Sequence, residues 1–102
     1  MFIAMNRFRI APGSEAAFEE MWRNRDSRLK EVDGFLDFKL LKGPAAEDHT
    51  LFVSHSMWRD RAAFDAWTRS DHFRKAHASA GDTNAMYLGA PIFEGFESVV
   101  NA

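Results

Sequence analysis

The sequence predicts an α+β fold of the ferredoxin-like, split β-α-β kind, with a four-stranded antiparallel sheet covered by helices on one face. Three observations carry this prediction. The hydrophobic periodicity runs strand, helix, strand, strand, helix pair, strand along the chain. The first strand alternates cleanly, so one of its faces belongs to a core. The opposite face is also rich in apolar residues. Ile3, Met5, Val53, Met57, Phe93 and Val99 are expected there, a contiguous patch of the sort that seeks a partner. Two such sheets stacked face to face predict pairing as a dimeric α+β barrel.

Residues 2–10 place Phe2, Ala4, Asn6, Phe8 and Ile10 on one face and Ile3, Met5, Arg7 and Arg9 on the other. Ala11-Pro12-Gly13-Ser14 reads as a turn, with Ser14 as N-cap. From Glu15 to about Lys30, Phe18, Met21, Trp22 and Leu29 step by three and four residues, a helical stripe. Asp33-Gly34 ends that connection. Residues 35–42 form a strand with Leu36, Phe38 and Leu40 on one face, and 43–48 a polar loop. A third strand covers about Thr50 to Trp58, apolar on both faces. Asp60 caps a helix from Arg61 to Arg69 carrying Ala63, Phe64 and Trp67. Ser70-Asp71 is a break and a fresh cap. A short helix from His72 to about Ser79 then carries Phe73, Ala76 and His77. Residues 80–90 are irregular, and Pro91 opens a last strand, Ile92 to Val100.

A chain of 102 residues has room for one domain, 1–102. With 10 Phe and 3 Trp its interior is bulky. So small a domain buries only about 60–65% of its unfolded surface, which favours self-association. Net charge is −2 with no basic stripe, which argues against nucleic acid. The absence of cysteine excludes disulfides, thiolate metal sites, iron–sulfur clusters and cysteine nucleophiles. The N-terminus is too quickly charged for a signal peptide, and no apolar run approaches the roughly 20 residues that span a bilayer. The expectation is a cytoplasmic protein that binds no membrane.

Four histidines are present. His49 lies in a loop beside Asp48, His55 lies mid-strand on the open face, and His72 opens a helix. His77 differs, sitting one turn after Phe73 on the inner stripe of a short helix. A neutral imidazole there can bind a metal through one nitrogen and donate through the other. Each candidate also has an ordinary structural reading. A helix histidine is commonly just half-exposed, a helix Trp such as Trp67 is commonly core, and a strand carboxamide such as Asn6 can tie down a helix end. Convergence separates the readings. Asn6 projects from the helix-covered sheet face, and Trp67 and His77 project from those helices. All three can line one cavity walled by Phe8, Phe18, Trp22, Phe38, Phe64 and Phe73, an apolar site with a few polar groups. No dinucleotide or phosphate-binding motif competes, and no serine sits in a nucleophile elbow.

The chain resembles the IsdG-type heme-degrading monooxygenases, within the wider antibiotic-biosynthesis-monooxygenase-like dimeric α+β barrels. The resemblance rests on Asn6-Arg7, on Gly34-Phe35-Leu36, on Ser56 through Trp67, and on Ser70 through His77. It implies that His77 is the proximal ligand to heme iron and that Trp67 presses the porphyrin out of plane. It implies that Asn6 hydrogen-bonds a distal oxygen ligand. The cofactor-binding wall would be Asn6, Phe8, Trp22, Phe38, Phe64, Trp67, Phe73 and His77. Heme would be both cofactor and substrate, O2 the oxidant, and electrons would come from an external reductase or small reductant. Arg23, Arg25, Arg74 and Lys75 are candidates for pairing with the propionates. Three other readings stand beside this one: a heme store or carrier, a cofactor-free monooxygenase of the same barrels, and a ligand-free structural barrel.

Overall fold

Strand β1, Phe2–Ile10, is the centre on which the rest is assembled, as shown by a computed structural model that describes residues 1–25, 28–71, 73 and 85–100. Its alternation is honoured: Phe2, Ala4, Phe8 and Ile10 are buried while Arg7 and Arg9 are exposed. The order continues with helix α1 (Glu15–Arg23), a 3₁₀ turn (Leu29–Glu31), β2 (Phe35–Ala45), β3 (Thr50–Trp58), α2 (Arg61–Thr68) and β4 (Ile92–Glu97). The sheet order is β2-β3-β1-β4 with every neighbour antiparallel, the ferredoxin-like α+β arrangement that was expected.

Local signals placed most elements. Asp60 caps α2, its carboxylate accepting from the Ala63 N–H at 2.8 Å. That backbone bond, and the Arg59 guanidinium beside it, hold the Asp60 carboxyl below its ordinary value. Ser14 occupies the N-cap of α1, yet its side chain caps nothing. The Glu15 carboxylate accepts from Gly13 N–H instead, and Ser14 contributes only its carbonyl, to Phe18.

Helix α1 is shorter than the stripe to Lys30 implied. It closes at Arg23, and Arg28 adopts a left-handed backbone at φ +51°, through which a right-handed helix cannot run. Leu29 keeps its inward role from the 3₁₀ turn. The loop foreseen at 43–48 is partly strand, since β2 pairs on to Ala45 opposite Thr50 after an irregularity. A second irregularity between Phe35 and Asp37 leaves Leu36 exposed rather than facing the core with Phe38. Strand β4 stops at Glu97, and Val99 beyond it is exposed.

On the open face the register lines up Ile3 with Met57 and Phe96, and Met5 with His55 and Glu94. His55 thus lies where expected, and its Nδ1 is buried with no hydrogen-bond partner among the described residues. Phe93 does not join this face. It is paired with Asn6 and belongs to the helix-covered side, while Ile92 and Phe96 take the open side. The last strand carries a Phe on each phase, so alternation alone could not choose between them.

Gly34 couples β2 to α2. It sits at φ +82°, and a Cβ there would collide with that of Ala63. Gly34→Ala is therefore expected to cost about 2 kcal/mol from left-handed strain and overpacking. Urea denaturation checks this, and an unchanged midpoint would contradict so close an approach of strand and helix.

Candidate functional site

The buried core is split, and the site is the gap. One cluster gathers Phe2, Ala4, Trp58 and Ala63; the other gathers Phe8, Ile10, Phe18 and Phe52. The register explains the division. At one end of the sheet Phe35, Trp58 and Phe2 lie side by side, and towards the other Phe52 and Phe8 do. Between them run two rows across all four strands whose central residues are small, Phe38–Ser56–Ala4–Gly95 and Leu40–Ser54–Asn6–Phe93. Small side chains in the middle of a floor with bulky ends leave a hollow.

That hollow is a cavity of about 420 Å³, within the ~300–1,000 Å³ of small-molecule sites. Ala4, Asn6, Phe38, Ser54, Ser56 and Phe93 form its floor. Trp22, Arg25 and Leu29 line one wall. Phe64, Trp67, Thr68 and Phe73 line the other. The aromatic walls are mutually braced. Trp22 stacks on Phe38 at 5.4 Å, Phe64 stacks on Phe93 at 5.6 Å, and Phe73 meets Trp67 edge-on at 4.8 Å. Ser70 supports this last pair, its hydroxyl donating to the Trp67 carbonyl at 2.6 Å and accepting from Phe73 N–H at 3.2 Å.

Polar groups are few among the described residues of the lining. The Arg25 guanidinium lies 4.3 Å from the centre of the Trp22 ring, a cation–π contact. Burial pushes its pKa down, partly offset by Tyr87. Arg23 points elsewhere, held by Glu20 at 3.2 Å and Glu19 at 3.5 Å on the exposed side of α1. Ser56 is committed: its hydroxyl accepts from the Trp58 indole at 2.9 Å and donates to the Ala4 carbonyl at 3.4 Å. Asn6 and Ser54 have no hydrogen bonds from their side chains among the described residues.

Of the residues the sequence nominated, Asn6, Trp22, Phe38, Phe64, Trp67 and Phe73 meet around this one cavity. Phe8 and Phe18 do not line it. They are buried in the second cluster, 5.3 Å apart, and Phe8 stands 6.0 Å from Trp22, behind that wall. His77, Arg74 and Lys75 lie outside the described residues, as does the helix expected from His72 to Ser79 apart from Phe73. Sequence reasoning missed Ser54, Ser56 and Phe93 as floor residues. Strand pairing was the missing information, because a serine in an apolar strand gives no signal until its neighbours are known. Among the described residues no group of three or more His, Cys, Asp or Glu could hold a metal ion, and no helix is long and apolar enough to cross a membrane.

Residues 1–79 match the family model described as antibiotic biosynthesis monooxygenase. Heme-degrading monooxygenases of Listeria welshimeri and Listeria monocytogenes are 39% identical over 56 residues, which is 54% of this chain and 46% of theirs. The chain thus spans about half the length of the curated relatives it matches. Among solved structures, a point mutant of MhuD with two manganese protoporphyrin IX bound per active site superposes with a TM-score of 0.77. It is 24% identical and is covered over 98% of its length by 100% of this chain. Rv0793 from Mycobacterium tuberculosis superposes at 0.71 with 18% identity, covering 99% of this chain and 97% of its own. These likenesses show a shared fold.

Proposed function

Because the chain belongs to the antibiotic biosynthesis monooxygenase family, we propose that it is a heme-degrading monooxygenase for which heme is both substrate and cofactor. The observation that carries the reading is the convergence of Asn6 and Trp67 on one aromatic-walled cavity. The curated relatives of Listeria bear the name of that activity, and MhuD accepts a porphyrin on the same fold.

The cavity's chemistry suits a porphyrin. Its faces are aromatic, as a flat macrocycle requires. Its charged wall group is a guanidinium, the complement of a carboxylate. The Trp22 Nε1–H on the same wall is buried with no acceptor among the described residues, a donor still to be satisfied. The described lining holds no iron ligand. In this reading the ligand is His77, four residues beyond Phe73, which lines the cavity. When bound, the heme supplies the iron that activates O2 and the carbon ring that is opened.

The chain's own residues do the rest. His77 would hold the iron through its imidazole. The Asn6 carboxamide donates a hydrogen bond at the sheet floor, stabilising negative charge that develops there. The Trp67 indole, backed by Trp58 at 5.4 Å and Phe73 at 4.8 Å, is a stiff bulk that can distort a flat ring. Arg25 is the propionate partner in preference to Arg23, whose charge is already engaged. Electrons would have to come from an external reductase or small reductant, and with O2 as the oxidant ring opening would free iron and a linear tetrapyrrole. A second copy covering the open sheet face completes the reading as a homodimer.

Aerobic turnover tests it. Heme is added, the Soret band of a His-ligated complex recorded, and reductant supplied in air. Loss of the band with iron release and a bilin by mass is expected. A band that persists indefinitely favours a carrier, and no binding at micromolar heme removes the proposal.

A further inference from the structure

We infer that Ser54 is a second polar contact for the cavity's ligand, acting as a pair with Asn6 on the sheet floor. The inference rests on the heme reading above and adds to it a residue that no resemblance supplied.

Cross-strand pairing puts Ser54 of β3 directly opposite Asn6 of β1. Residues so paired project on the same face with Cβ atoms roughly 4.5–5.5 Å apart. Both line the cavity. Their flanking neighbours in the row, Leu40 and Phe93, are apolar and cannot serve either group.

The hydrogen-bond ledger makes the pair distinct from its surroundings. Ser56, the next serine along β3, lines the same floor but is occupied as both donor and acceptor. Thr50, buried at the far end of β3, donates to Glu15 at 2.8 Å. Ser54 is only 6% exposed, yet its hydroxyl has no partner among the described residues, and neither does the Asn6 carboxamide. Neither side chain is among the fully enclosed polar atoms, so both are accessible, Asn6 being half-buried, and a ligand that displaced water from the cavity would have to satisfy them. Two such groups, side by side and facing one cavity, form a two-point site for a single polar atom presented by whatever fills it. A hydroxyl and a primary amide both donate. The atom they suit is an electron-rich one, such as the terminal atom of a small axial ligand on a metal held above the floor.

Azide binding to the ferric heme complex, with the C–O stretch of the ferrous carbon monoxide complex, tests this. Wild type is compared with Ser54→Ala, Ser54→Val and Ser54→Thr. Thr keeps the hydroxyl, and Val matches its size without one. Loss of the hydroxyl is expected to weaken azide roughly three- to ten-fold, the range of one net hydrogen bond, and to raise the C–O stretch. Ser54→Thr should restore both relative to Ser54→Val. A normal Soret band with unchanged azide affinity and C–O stretch in Ser54→Ala overturns the role of Ser54 alone. A wild-type protein that forms no Soret band overturns the heme reading and this inference together.

Discussion

Replacing His77 by alanine is expected to abolish the His-ligated Soret band and, with it, turnover. Loss of an outer-shell partner of a metal-bound histidine typically costs roughly 10–100-fold in affinity or activity. Loss of the ligand itself should exceed that. The described lining contains no side chain able to replace an imidazole on iron: it offers a carboxamide, hydroxyls, a guanidinium, indoles and phenyl rings. The measurement is a heme titration of both proteins, with melting curves as the control for folding. Added imidazole should restore part of the band in the variant by filling the space left by the side chain. A variant that keeps the wild-type Soret position and affinity excludes His77 as the ligand. That result would assign the iron to a side chain other than His77 and remove the support that this residue gives to the heme reading.

Trp58→Ala is expected to cost about 3–5 kcal/mol, the usual range for truncating a buried tryptophan. Trp58 is fully buried and stands opposite Phe2 on one side and Phe35 on the other. Its ring also meets Phe64 at 5.7 Å and Trp67 at 5.4 Å, so it fastens α2 to the sheet. Its indole N–H donates to Ser56, which in turn donates to the β1 carbonyl of Ala4. Truncation would empty the junction and leave the Ser56 hydroxyl without its donor. Against the roughly 5–15 kcal/mol that holds a domain together, the loss is severe. Trp58→Phe keeps much of the ring and should cost less than Trp58→Ala. Urea denaturation of the three proteins reads this directly. A loss below about 1 kcal/mol for Trp58→Ala would mean that the seam between sheet and α2 is not held there.

The two residues define the site from opposite sides. Trp58 backs Trp67, and the two bulky ends of the sheet hold open a space that smaller residues in the middle decline to fill. Substitutions that enlarge the floor, at Ala4 or Ser54, act on the cavity without touching its walls. The wall substitutions Trp67→Ala and Trp22→Ala remove the surfaces that a planar ligand would lie against.

Much of this was legible from local pattern alone. The period of two in residues 2–10 assigned Phe2, Ala4, Asn6, Phe8 and Ile10 to one face, because side chains alternate on any strand whatever it pairs with. Asp60 announced the start of α2, because an N-cap carboxylate reaches a backbone N–H only three residues away. The order of elements named the fold, since a strand, helix and strand followed by a hairpin and a second crossover leaves few topologies. Asn6 and Trp67 were picked out as convergent for the same reason: each projects from an element whose covered face could be read locally.

What sequence alone determined, then, was everything set by neighbours within a few positions along the chain. Tertiary structure decided what depends on lateral partners. It chose the phase of β4, turning Phe93 into the cavity and leaving Phe96 outside, because a one-residue change of register swaps every side chain between faces. It ended α1 at Arg23, where the backbone had to turn towards β2. It moved Phe8 from the lining into the core behind Trp22, and it set Ser54 beside Asn6. Ser54 and Asn6 lie nearly fifty positions apart along the chain, and only hydrogen bonding between strands makes them meet.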